Sequence, residues 1–211
     1  TPMESRATLS ITEADKKQMV ELSNEADLHD QLVGSIAPHV HGFEKEKLAL
    51  ALQLFGGVKK ELPDGTTIPG SIHIGLISDP GMFTDELVEY AARLAPKSVS
   101  VSGTDTTQVG LTTAAYKSSS AAKNWELDAG ALVLADQGLA CITHLSQLDS
   151  NALVALQSVM RDREVAAHKG TAAQTLSAET TILASMKPRY GRFDQYEPIG
   201  EQIDLPPELF S

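Results

Sequence analysis

The chain has 211 residues, enough for one α/β domain or one domain with a small appendage. A net charge of −11 argues against nonspecific affinity for DNA or an acidic membrane, and 42% hydrophobic content is ample for a packed core. Cys141 is the sole cysteine, which excludes an intrachain disulfide and a cysteine-built zinc site.

In chain order, residues 1–11 are polar and expected to fray. Thr12, Glu13, Ala14 and Asp15 resemble a helix N-cap signature, and Met19, Val20 and Leu22 give the following short helix one apolar side. A second short helix is read over 27–33, with Leu28 and Leu32 four apart, and a loop over 35–42. The spacing predicts an amphipathic helix over 43–55. Leu48, Leu52 and Phe55 are expected on its buried side, and Gly56 and Gly57 stop it. Residues 61–70 read as a turn-rich connector.

The stretch 71–85 is the organising feature. Ile72, Ile74, Leu76 and Ile77 form an apolar run that predicts a buried central strand, ended by Asp79, Pro80 and Gly81. Helical spacing follows over 86–94, with Thr84 as the expected N-cap. Strand, Gly/Pro turn and helix together form the context of a nucleotide phosphate loop. A working loop reads G-x-x-x-x-G-K-[ST]: backbone N–H groups cradle phosphates, the lysine neutralises them and the hydroxyl binds Mg²⁺. Here Thr84 falls on the lysine position and Asp85 on the hydroxyl position. The residues alone leave two readings open: a nucleotide-hydrolase fold without its usual chemistry, or a Rossmann-like turn without ligand.

Residues 98–101 predict the next strand. The stretch 102–125 is polar and rich in small residues, with 109–116 read as helical and 117–123 as a mobile loop. Of the apolar runs 132–135 and 138–142, the second is the better strand. Residues 151–160 predict a helix with Leu153, Leu156 and Met160 on one face. Residues 165–167 and 174–176 read as arms of a hairpin tipped by Lys169 and Gly170. Residues 181–184 predict a third central strand, and 190–205 read as irregular. The alternation of strands and helices predicts a three-layer α/β/α unit with a mainly parallel sheet. Ligands in such sheets sit at the carboxyl ends of the strands, here near Ser78, Ser102, Thr143 and Met186.

Three side chains invite a catalytic or metal role. His144 is read as a substitute general base or as a structural residue at a strand end. His39 and His41 are read as two metal ligands or as part of a solvated loop; without a third ligand nearby, no metal is expected. Cys141, in an apolar run, is expected to be buried. No stretch reaches the roughly 18 apolar residues of a membrane span, so no membrane partner is expected.

Several segments together resemble the AAA+ module of the MCM replicative helicases, ring motors that unwind DNA. They are Ser35-Ile36-Ala37-Pro38 with Gly42, Phe55-Gly56-Gly57-Val58, residues 91–96, and residues 127–136 (L-D-A-G-A-L-V-L-A-D). Residues 190–205 are similar to halophilic archaeal members, and an acid-rich, lysine-poor surface suits such a source as well as an ordinary acidic protein. The resemblance implies a P-loop NTPase-like AAA+ domain with β-hairpin insertions. Residues 1–34 would be a lead-in and 35–211 the core, as a piece of a longer protein cut before the arginine finger and lid. The expected location is cytoplasmic, associated with the chromosome if in a replication complex.

The resemblance also assigns positions. The family's loop reads G-D-P-G-x-[AG]-K-S: Asp79, Pro80 and Gly81 match it, while Ser78, Thr84 and Asp85 replace the first glycine, the lysine and the serine. Its C-I-D-E-F-D segment is matched at Cys141 and Ile142, but Thr143 and His144 replace the Mg²⁺-organising aspartate and the water-polarising glutamate. Lys187 stands for the sensor asparagine before Pro188, and Arg161, Asp162 and Arg163 stand for E-Q-Q. Val40, His41 and Gly42 lie where the family holds adenine. Lys169 matches a hairpin lysine that touches DNA in the ring channel, although Thr171 replaces the glycine after the tip. The 102–125 stretch corresponds to the helix-2 insertion, basic here only at Lys117 and Lys123. The implied cofactors of active members are ATP and Mg²⁺; none is expected here. The implied partners are active MCM subunits in a ring, and DNA.

Overall fold

A computed structural model of the chain describes residues 11–117, 125–169 and 172–210. It opens on α1 (Glu13–Ser23), whose capping box is complete: Thr12 Oγ1 accepts the Asp15 N–H and Asp15 accepts the Thr12 N–H. After α2 (Leu28–Ser35) and α3 (Glu44–Phe55) come a small antiparallel pair, β1 (Lys60–Glu61) and β2 (Thr67–Ile68). Then follow β3 (Ile74–Ile77), α4 (Thr84–Leu94), β4 (Ser98–Ser102), α5 (Gln108–Leu111), and the antiparallel pair β5 (Thr113–Lys117) and β6 (Trp125–Ala129). The rest is α6 (Ala131–Leu134), β7 (Leu139–Thr143), α7 (Ser150–Asp162), the hairpin β8 (Glu164–Lys169) and β9 (Ala172–Ser177), and β10 (Thr181–Met186).

The main sheet has four parallel strands in the order β3-β10-β7-β4. Side chains alternate across it, as the two-residue period of a strand requires. Leu139, Cys141 and Leu183 pack with Leu50, Leu87 and Val88 of α3 and α4 on one face. Ala140, Ile142 and Ile182 pack with Leu111, Leu132, Leu156 and Val159 of α5, α6 and α7 on the other. The fold is therefore three-layer α/β/α with a parallel sheet and hairpin insertions.

Several expectations need correction. β3 is an edge strand rather than a central one. Helix α3 turns the other way: Leu48, Leu52 and Phe55 are exposed, Phe55 by 72%, while Lys47, Leu50, Ala51 and Gln53 are buried. The inward polar groups are tolerated because they are bonded. Lys47 Nζ donates to the carbonyls of Ala37 (3.1 Å) and Val40 (2.6 Å), and Gln53 Nε2 to those of Ile72 (2.9 Å) and Ile182 (2.7 Å). Thr84 is the first residue of α4, not its cap; Phe83 occupies the cap at φ 57°. The helix expected over 109–116 ends at Leu111 and gives way to β5, and β6 was not foreseen. The apolar side of α1 is exposed, with no buried residue. The last described turn, Pro207–Phe210, is 3₁₀. Residues 1–10, most of the loop expected over 117–123, and the tip residues Gly170 and Thr171 lie outside the described residues.

Candidate functional site: the phosphate-loop end of the sheet

The carboxyl ends of β3, β10 and β7 open on one cleft of about 310 Å³, walled by residues 78–86 together with His144, Met186 and Lys187. The sheet order dictates this meeting, because β10 lies between β3 and β7. Ser78 continues from β3 and donates its N–H to Met186 O at 3.2 Å, which ties the loop to the end of β10. Gly81 sits at φ 85° and Phe83 at φ 57°, left-handed positions that turn the chain sharply into α4. Both are exposed, and Phe83 lines the cleft.

Two of the positions that the sequence reading singles out are bonded to each other. Ser78 Oγ and Thr84 Oγ1 lie 2.8 Å apart. Asp85 Oδ1 accepts from Ser185 Oγ at 2.5 Å, and Ser185 is buried on β10. Asp85 and Glu86 both fall in the first turn of α4. The partial positive charge of that helix end, which would favour a phosphate, is thus already matched by carboxylates of the same helix. Asp79 Oδ1 accepts the Phe193 N–H at 2.8 Å, so the 190–205 segment is fastened to the loop. That segment is held in turn by Gln202, buried to 1% exposure. Its amide donates to the carbonyls of Asp194 (2.8 Å) and Glu197 (2.9 Å) and accepts from Asp194 N–H (2.6 Å).

His144 stands at φ 55° just after β7, with Nδ1 buried and without a hydrogen-bond partner among the described residues. Thr143 ends β7 and its carbonyl accepts the Gly103 N–H at 2.7 Å; its side chain is not among the cleft's walls. Lys187 is exposed, lines the cleft and makes no ion pair among the described residues. The sequence puts Thr84 where the resemblance implies a cation, and gives no sign that Lys187 faces the same space. Phe83 was missed as well, although the resemblance, which implies alanine or glycine at that position, carried the signal.

The segment holding Val40, His41 and Gly42 does not line this cleft. Val40 is buried, His41 exposed and Gly42 turns at φ 77°. Phe43, next in the chain, reaches a neighbouring cleft of about 410 Å³ shared with Ser78, Asp79, Thr84 and Phe193. His39 approaches Glu86 at 3.4 Å with both side chains half exposed. Among the described residues no group of three or more metal-ligating side chains exists. Cys141 is buried, and burial pushes its thiol up to about 12. Lys169 ends β8, paired in register with Ala172, and β8 lies beside β5 and β6, so the two hairpins are neighbours.

The MCM P-loop domain profile matches residues 15–211. Minichromosome maintenance protein MCM of Saccharolobus solfataricus is 36% identical over 201 residues, covering 95% of this chain and 29% of that protein. DNA replication licensing factor mcm7 of Schizosaccharomyces pombe is 38% identical over 193 residues, covering 92% of this chain and 25% of that protein. DNA replication licensing factor MCM6 of Arabidopsis thaliana is 33% identical over 201 residues, covering 95% and 24%. The chain thus spans between 24% and 29% of the length of these relatives. A parallel sheet in this strand order, a phosphate-loop turn at the end of β3 and a match across nearly the whole chain agree: the chain belongs to the MCM family, in its P-loop domain.

Proposed function

We propose that this is an MCM-type domain that does not hydrolyse ATP and serves as a structural or regulatory partner of active MCM subunits. The observation that carries the reading is Asp85, a carboxylate at the position of the Mg²⁺-binding hydroxyl, held in place by Ser185. A phosphate about 4 Å from that carboxylate meets roughly 4 kcal/mol of repulsion at an effective dielectric of about 20. Thr84 supplies no compensating charge, and its hydroxyl is matched to Ser78. Magnesium-bound ATP does not fit this loop. Thr143 and His144 offer no carboxylate to hold Mg²⁺ or polarise water, and each missing group does a separate job in phosphoryl transfer. Residues 35–211 would form the core of the unit, with 1–34 as its lead-in, and the acidic surface fits a halophilic archaeal source.

The test is phosphate release from ATP and Mg²⁺. The reading expects no turnover above buffer; turnover that disappears in Lys187→Ala would overturn it.

A second reading, weak nucleotide binding completed by a neighbouring subunit, is favoured by one observation: Lys187 faces the cleft and restores one cation to it. A third, DNA contact through Lys169, rests on that residue's place at the end of β8. DNA binding that weakens steeply with salt and is lost in Lys169→Ala would support it.

A further inference from the structure

A second cleft lies at the other end of the sheet. It measures about 480 Å³, within the range of small-molecule sites, and is walled where β7 and β10 begin, by Gly138, Leu139 and Thr181. The six residues of β10, at about 3.3 Å each, put it roughly 15–20 Å from the phosphate-loop cleft.

Its walls are backbone crossings that only glycine permits. Gly57 N–H donates to Gly70 O at 2.7 Å, and a Cβ on Gly70 would collide with the Gly57 carbonyl. A Cβ on Gly138 would stand 2.7 Å from Lys97 O. The wall also contains Gln53, at 4% exposure, whose amide is fixed by two carbonyls.

The charge of this cleft runs against that of the chain. On a protein of net charge −11, its ionisable walls are Lys59, Lys97, Arg163 and a single carboxylate, Glu179. Glu179 Oε2 accepts from Gln137 Nε2 at 2.7 Å, and Lys97 Nζ donates to Asp136 O at 2.5 Å. Arg163 is half-buried, makes no side-chain hydrogen bond or ion pair among the described residues, and lies close enough to His73 to disfavour protonation there. The Arg163 guanidinium thus shares the cleft's wall with two lysines and has no acceptor of its own among the described residues.

We propose that this cleft binds a small phosphate-bearing molecule, with the Arg163 guanidinium as its main donor and Lys59 and Lys97 as supporting charges. The planar fork of an arginine matches a phosphate with two parallel hydrogen bonds. Three cations against one carboxylate leave two charges to balance, and a phosphate monoester carries about −1.5 to −2 at neutral pH. A monocarboxylate would leave one of them unmatched. The site is independent of the phosphate loop, so it stands whether or not nucleotide binds there.

The test titrates the 211-residue chain, without Mg²⁺ and at fixed ionic strength, with inorganic phosphate, pyrophosphate and glycerol phosphate in separate arms, read by amide and imidazole NMR. Shifts at Gly57, Gly70 and Gly138 are expected, together with a rise in the His73 titration midpoint as the ligand neutralises Arg163. The strongest arm tells a free inorganic ion from a phosphate ester. Arg163→Gly, which suits the left-handed φ of 57° at that position, should weaken binding at least tenfold. Lys59→Glu, at an exposed site, should do so without touching the fold, and Lys187→Ala should leave binding unchanged. Equal affinity in both Arg163→Gly and Lys59→Glu, or shifts confined to residues 78–86 and 187, would overturn the proposal.

Discussion

The hydroxyls of Ser78 and Thr84 lie 2.8 Å apart, joining the two ends of the loop between β3 and α4. With the Ser185 to Asp85 bond, the start of α4 is tied both to the end of β3 and to β10.

Restoring the loop should therefore need both positions. Thr84→Lys with Asp85→Ser replaces a repelling carboxylate by a cation and a hydroxyl, and nucleotide affinity should rise by at least tenfold over the parent chain. Hydrolysis should stay absent, because Thr143 and His144 remain. Calorimetry for binding and phosphate release for turnover separate the two effects.

Ser185→Ala removes a hydrogen bond to an ionised group. Such bonds contribute about 1.5–3 kcal/mol when both partners are sheltered, but Asp85 is exposed and water can replace the lost donor. A loss of about 1 kcal/mol in urea unfolding is expected. In a double-mutant cycle with Asp85→Ala, the two losses should fail to add. Full additivity would mean the bond contributes nothing.

His73 makes stability depend on pH. Burial, then the charge of Arg163, holds its proton affinity below the ordinary value of 6.5, and its Nδ1 accepts the Ile182 N–H at 3.1 Å. The folded chain thus binds this proton less readily than the unfolded chain. The contribution is complete above about 6.5 and is lost as pH falls below it toward the folded value. Between about pH 6.5 and 5, above most carboxylate titration, His73→Asn should flatten the decline seen in the parent chain.

Cys141 should be inert in the native state. Its thiol is buried and pushed up to about 12, so almost none is thiolate at pH 8. A thiol reagent should label the folded chain at least a hundredfold more slowly than the urea-unfolded chain. Equal rates would place the side chain in solvent.

The sequence showed the sheet more clearly than the site. Apolar runs such as 138–142 and 181–184 are buried on both faces, and that continuous pattern is visible without a structure. Edge and centre are not distinguished by it, because β3 carries the same kind of run at the edge. Helix α3 misled because a leucine stripe outweighed Lys47 and Gln53, whose burial depends on carbonyls supplied by distant chain. The loop's residues were legible one by one, but its supports were not. Ser185 lies 100 residues from Asp85 and Phe193 lies 114 from Asp79, and nothing local announces either contact.

The most direct measurement is a calorimetric titration of the 211-residue chain with ATP and Mg²⁺ at moderate salt. An Asp85 carboxylate and a Thr84 hydroxyl in place of the loop's cation predict no saturable heat below millimolar nucleotide. A micromolar dissociation constant, with one nucleotide per chain, would contradict the account.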